Sequence, residues 1–170
     1  MGMTPEQFFE SFVVGNLEDC IDQPGDIRRA FNASVSASHL ADHYFLHSQR
    51  HQPDLVAPFS DIGKFVEHLS TETAGAFRDV RSISNVYKHL YTDKGNLAQY
   101  SSVNSCGSID AITLKNDEEL QGPEEDYVEG NNGEALRRVI VTLKDGSRKE
   151  VLAALESVTE YFRALLYAKT

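Results

Sequence analysis

The sequence has no tryptophan and only two cysteines in 170 residues. Cys20 and Cys106 stand far apart with no paired spacing, so neither a zinc framework nor a disulfide framework is indicated. Buried or inert thiols in a reducing compartment are the expectation. No apolar run approaches the ~18 residues that a membrane-spanning helix needs. The opening MGMTPEQFFESF lacks a basic stretch followed by an apolar run, which argues against a secretory leader. A Gly-rich phosphate loop, a G-x-S-x-G and a Cys–His arrangement near either cysteine are all absent, and with them three common enzyme signatures. Basic charge is scarce too: sixteen Lys and Arg stand against twenty-six Asp and Glu, a net charge of −10. That balance disfavours non-specific attraction to nucleic acid or anionic membrane, and with the lack of Trp it disfavours sequence-specific DNA recognition. Any polyanion partner has to meet a local basic patch. The length fits one domain over residues 1–170, expected to be soluble and cytoplasmic.

What is present is helical periodicity. Thr4-Pro5-Glu6-Gln7 carries the signs of a helix start: a capping Thr, a Pro at the first position and a Gln to complete a capping box. Phe8, Phe9, Phe12, Val13, Asn16 and Leu17 follow at helical spacing until Pro24-Gly25. Asp26 is placed to cap a second helix running to about His51. Its apolar side is rich in Ala and Ser, which lets neighbours approach closely and marks it as the centre of a bundle. Ser60 is placed to cap a short third helix carrying Ile62, Phe65, Val66 and Leu69. A fourth begins at Thr71 or Thr73 and runs to about Tyr91.

Residues 92–108 are rich in Ser, Asn and Gly and show no periodicity. Ile109–Leu114 alternates as a strand does, and Val139–Leu143 is the strongest strand signal. Between them, 115–135 is acidic and reads as a mobile loop. Asp145-Gly146 is a hairpin dipeptide whose expected turn needs positive φ at both positions. Ser147–Glu150 is the return strand and Val151–Ala168 the closing helix. The expected fold is mainly α, a four- to five-helix bundle with a small antiparallel hairpin or sheet before the C-terminal helix.

Two polar stripes stand out. Placing residues about 100° apart on the fourth helix brings Arg78, Arg81, Asn85 and His89 within roughly 80°, with Lys88 at the edge. The second helix lines up Asn32, Ser36, His39, His43, His47 and Arg50, with Asp42 on the flank beside the apolar side. For His47 and His51 a plain solvated face is the simplest reading. Asp42 and His39 are different, because an Asp beside apolar neighbours inside a helix needs a partner. If the two stripes meet, Asp42 can accept from Lys88 or an imidazole. Asn85, Lys88 and His89 then face Asp42 and His39 across the packing.

Such a constellation has three readings. The first is acid–base work on a phosphodiester without a metal or cofactor: His moves the proton, Arg or Lys steadies phosphate charge, Asn orients. The second is a metal site, with His39 and His43 one turn apart and Asp42 or His89 completing it; the facing cationic stripe opposes this. The third is a non-catalytic interaction module presenting the basic stripe, or the acidic loop around Glu124, Glu125 and Asp126.

The segments HLADHYF (39–45), FRDVRSISNVYKHL (77–90) and VIVTLKDGSRKEVLAALESVTEYFRALL (139–166) resemble a group of small, poorly characterised bacterial and phage proteins. These share a His-Leu-x-Asp helix, a later Asn-x-x-Lys-His helix and a terminal strand–DG–strand–helix. The resemblance covers most of the chain outside the acidic loop and implies a mainly helical domain, with no activity attached. The helical stripe is also weakly similar to the HEPN superfamily of helical bundles, which includes metal-independent ribonucleases with an Arg and a following His on one helix. That likeness implies a ribonuclease, or a relic of one, with Arg81 and His89 on one helix and Asn85 midway; the pocket read from the two stripes adds His39, Asp42 and Lys88 as candidates. RNA or another anionic ligand would bind the basic stripe, and a homodimer would pair two such stripes around one polyanion. Here seven residues separate Arg81 from His89, more than the superfamily pattern has. The alternative is a non-enzymatic interaction or regulatory protein, of phage or mobile-element origin, whose polar cluster is structural.

Overall fold

Thr4 opens the helical structure as its sequence suggests. Its Oγ1 accepts from the Gln7 N–H at 3.3 Å, and the Gln7 Oε1 accepts from the Thr4 N–H at 3.0 Å. Two orphan amides of the first turn are thereby satisfied. In the computed structural model, which describes residues 2–95, 97–113 and 137–168, the chain continues as α1 (Pro5–Phe8), a π-helical turn (Phe9–Val14) and α2 (Gly15–Asp22). The sequence predicts one regular helix here, and the structure widens it in the middle. Phe9, Val13, Leu17 and Cys20 are buried, while Phe12 keeps 44% of its surface exposed.

Pro24 and Gly25 turn the chain, and the Asp26 carboxylate caps α3 (Ile27–His51) by accepting from the N–H groups of Arg28 and Arg29. The small-residue side of α3, with Ala30, Ala33, Ala37 and Ala41 beside Leu40, is buried. It packs against α2, α5 (Ala76–His89) and α7 (Val151–Tyr167), the central place that its composition predicts.

Two helix starts differ from expectation. Asp61, not Ser60, caps α4 (Ile62–Glu72): its carboxylate accepts from the Lys64 N–H, and the Ser60 hydroxyl donates to that carboxylate. A charged acceptor suits the positive end of a helix better than a hydroxyl does. Neither Thr71 nor Thr73 begins α5. The chain first turns through Ala74 and Gly75, both at positive φ, and Thr73 assists by accepting from the Phe77 N–H at 3.0 Å. The helix ends at His89, before the expected Tyr91, because Leu90 takes φ +60°.

The aperiodic stretch after α5 is less loose than its composition suggests. It carries a short α6 (Leu97–Tyr100), and Thr92, Ser101 and Val103 are almost wholly buried. The Thr92 and Ser101 hydroxyls donate to the Val103 carbonyl, and the Ser102 N–H donates to the Ser82 Oγ on α5 at 2.8 Å. Hydroxyls bonded to nearby backbone replace the apolar periodicity that would have announced burial.

The sheet is antiparallel in the order β1 (Ile109–Thr113), β2 (Arg137–Thr142), β3 (Arg148–Glu150), with Ile109 opposite Val141 and Ile140 opposite Glu150. The acidic stretch expected as a loop at 115–135 lies outside the described residues. The β2–β3 turn is not the two-residue form read from Asp145-Gly146. The Gly146 N–H bonds the Leu143 carbonyl and the Leu143 N–H bonds the Ser147 carbonyl, which closes a three-residue loop. Only Gly146 has positive φ, at +83°, as that loop requires. The Asp145 carboxylate holds the turn by accepting from the Ser147 N–H and hydroxyl.

Several bonds fasten the sheet to the rest of the fold, among them one backbone bond and one ion pair. The Val139 N–H bonds the Pro24 carbonyl at 2.9 Å, and Lys149 Nζ lies 2.7 Å from the carboxylate of buried Asp79 on α5. β3 runs straight into α7, which buries Leu155, Val158 and Phe162. The structure is therefore mainly helical with a small antiparallel sheet ahead of the C-terminal helix, as the periodicity predicts. Among the described residues, no helix is long and apolar enough to cross a membrane.

Candidate functional site

α3 and α5 pack closely and bring parts of their polar edges together. Arg81 Nη2 on α5 lies 3.2 Å from Asp42 Oδ1 on α3, and Arg81 Nη1 reaches the Ser38 carbonyl and hydroxyl at 3.5 Å. Two turns further along α5, Lys88 Nζ lies 2.8 Å from His39 Nε2. An acid and an imidazole from one helix thus meet a guanidinium and an ammonium from the other.

The partner of Asp42 is not the Lys88 or imidazole that the stripe suggests. Arg81 is half-buried and its planar fork spans both Asp42 and Ser38, which a point-charged ammonium cannot do. Lys88, left free of the carboxylate, turns to His39. An ammonium can only donate, so His39 Nε2 accepts and the ring proton sits on Nδ1. Burial holds the His39 pKa below the ordinary histidine value, and the Lys88 and Arg81 charges lower it further. Asp42 pulls the other way without prevailing. His39 is therefore a neutral imidazole at neutral pH, with an ammonium on its basic nitrogen.

The remaining candidates do not join this contact. Asn85 is half-buried on α5 and His89 is exposed in its last turn. Among the described residues neither side chain takes part in the Arg81–Asp42 or Lys88–His39 contacts. Arg81 and His89 are not brought together. Of the metal alternative, His39 faces Lys88, while His43 Nε2 lies 2.8 Å from the Met3 carbonyl. Among the described residues, no group of three or more His, Cys, Asp or Glu comes together as a ligand set.

Beside His39 lies a feature that the polar stripes do not announce. An open cavity of about 230 Å³ is lined by Phe8, Phe12, Asn32, Val35, Ser36, His39 and Tyr87. Phe8 and Phe12 pack ring against ring at 5.1 Å, Phe8 meets the His43 ring at 5.2 Å, and Phe31 supports Tyr87 at 5.1 Å. Tyr87 is 56% exposed although the helical wheel puts it on the apolar side of α5. The sequence signal was available, since Tyr87 adjoins Lys88, but periodicity assigns such a ring to the core. The π-helical turn that holds Phe12 has no comparable sequence mark.

No family model, no curated protein and no solved structure matches the chain.

Proposed function

We propose that the His39–Lys88 contact is a metal-independent acid–base site acting on RNA, in a HEPN-like helical bundle. The observation that carries this reading is a half-buried imidazole that lines an open cavity and whose Nε2 lies 2.8 Å from an ammonium; burial and the Lys88 charge keep its pKa low. RNA supplies its own nucleophile, the 2′-hydroxyl, so a base and a cation suffice. An incoming phosphate draws the flexible, exposed Lys88 away from His39 and frees Nε2. His39 then takes the 2′-hydroxyl proton, the 2′-oxygen–phosphorus bond forms, and the phosphorus–5′-oxygen bond breaks. Lys88 steadies the phosphoryl charge, and water returns a proton to the leaving oxygen. Arg81, fixed by Asp42, holds the two helices in register. The superfamily resemblance pairs Arg81 with His89, whereas this reading moves the chemistry to His39 and Lys88 and leaves His89 as a surface cation when protonated.

The test is cleavage of a mixed RNA by the purified protein in the presence of a chelator. His39→Ala and Lys88→Ala are expected to lose activity about a hundredfold or more, and His89→Ala to retain most of it. Wild-type activity no higher than that of the His39 variant ends the proposal. A second reading is favoured by the Arg81–Asp42 pair, which ties the strongest cation of the stripe to a carboxylate. On that reading the cluster is a structural joint in a non-enzymatic interaction protein. Then His39→Ala and Lys88→Ala change stability alone, and no RNA is cleaved.

A further inference from the structure

We infer that the aromatic cavity beside His39 is a seat for one base of single-stranded RNA; this rests on the acid–base reading above and names the part of the substrate next to the scissile phosphate. Its size decides what enters. At about 230 Å³ it falls below the roughly 300 Å³ at which sites for drug-sized ligands begin. It takes a ring system and leaves sugar and phosphate outside.

Its chemistry points the same way. Phe12 and Tyr87 offer rings that are 44% and 56% exposed, and Phe8 and Phe31 buttress them. Aromatic faces stack on any base, which makes such a seat tolerant of sequence. Asn32, exposed on α3, presents both a donor and an acceptor, the pair that a base edge matches. The charge beside the cavity selects against a purely apolar occupant. His39 lines it and carries Lys88, so a ligand with a flat ring and an anionic group satisfies both parts at once. In a chain of net charge −10, a cation bonded to a residue that lines an aromatic cavity is a local feature that attracts an anion. The π-helical turn (Phe9–Val14) holds Phe12 in place on the cavity while Phe9 and Val13 stay in the core.

The experiment uses the full chain and a 2′-deoxy trinucleotide, which cannot be cleaved, against the same molecule with an abasic central sugar. Binding is followed by tyrosine fluorescence, unobscured because the chain lacks Trp, and by ring chemical shifts. Loss of the base is expected to weaken binding about tenfold or more, with shifts at the Phe8, Phe12 and Tyr87 rings. Phe12→Ala, and separately Val35→Phe, which fills the cavity and keeps its rings, are expected to bring the intact ligand down to the abasic level. Equal affinity for the two ligands, shifts confined to other surfaces, or wild-type binding by a folded Val35→Phe protein overturns the inference. The two proposals fail separately. Base-dependent binding without RNA cleavage removes the acid–base reading and keeps the seat, whereas cleavage with equal binding of both ligands removes the seat.

Discussion

Asp79 is the most buried acid in the described structure, with 4% of its side chain exposed, and its cation comes from Lys149 on β3. Removing the cation strands a carboxylate in the interior. Lys149→Met is expected to cost about 2 kcal/mol, below the usual range for a broken buried pair because the Lys is itself half-exposed. The double change Asp79→Leu with Lys149→Met is expected to cost less than the single one, since no charge remains to desolvate. Urea denaturation of both proteins checks the order. His39 sets a pH dependence by the opposite route. Its folded pKa is depressed, so the unfolded chain binds the proton more readily. The contribution of His39 is thus fully present above the ordinary value of 6.5 and is lost as pH falls through the lower folded value. Melting temperatures followed from pH 7 to 5 are expected to drop less steeply in His39→Gln than in the wild type.

How much was legible also differs residue by residue. Asp42 announced a partner because a carboxylate that flanks an apolar stripe favours a cation; the pair with Arg81 forms while 40% of the Asp42 side chain stays exposed. Which cation answers it was not legible, because Arg81 and Lys88 occupy similar angles two turns apart, and a helical wheel does not show which level of α5 faces Asp42. Asn85 and His89 share the stripe by angle, yet the Arg81–Asp42 and Lys88–His39 contacts leave them out, and a helical wheel carries no information about reach.

Among the elements, Gly25 shows how a turn positions the sheet. A Cβ at Gly25 would stand 2.5 Å from the Cβ of Arg137 on β2, next to the Val139–Pro24 hydrogen bond. Gly25→Ala is expected to push β2 outward and cost about 1–3 kcal/mol. Gly15 gives the contrast: it has helical φ of −61° and open space around it. Gly15→Ala is expected to raise stability by about 0.5–1 kcal/mol. Thermal unfolding of the two proteins reads both signs. β1 was legible from alternation, β2 from its β-branched run, β3 from its place after Asp145-Gly146, and the α3 cap from Asp26. The starts of α4 and α5 are harder to read, because adjacent Ser60 and Asp61 both qualify, and Thr73 accepts from the Phe77 N–H across a left-handed Ala74–Gly75 turn instead of starting the helix itself. The π-helical turn escaped because one widened turn leaves the i, i+4 pattern of Phe9, Val13 and Leu17 intact.

Across the whole molecule, α3 and α5 turn parts of their polar edges toward each other and hold the His39 imidazole, its pKa lowered, against the Lys88 ammonium beside an aromatic cavity. The bundle and its sheet were readable from periodicity alone. The cavity was not, since it joins Phe8 and Phe12, part of the polar stripe of α3 and Tyr87 from three separate segments, and its Phe and Tyr rings each look like core. The most direct test is a nitrogen-15 NMR titration of His39 in the wild type and in Lys88→Met. The expected result is a midpoint below 6.5 with the proton of the neutral ring on Nδ1, and an upward shift when Lys88 is removed. A wild-type midpoint at or above 6.5 that Lys88→Met leaves unmoved would contradict it.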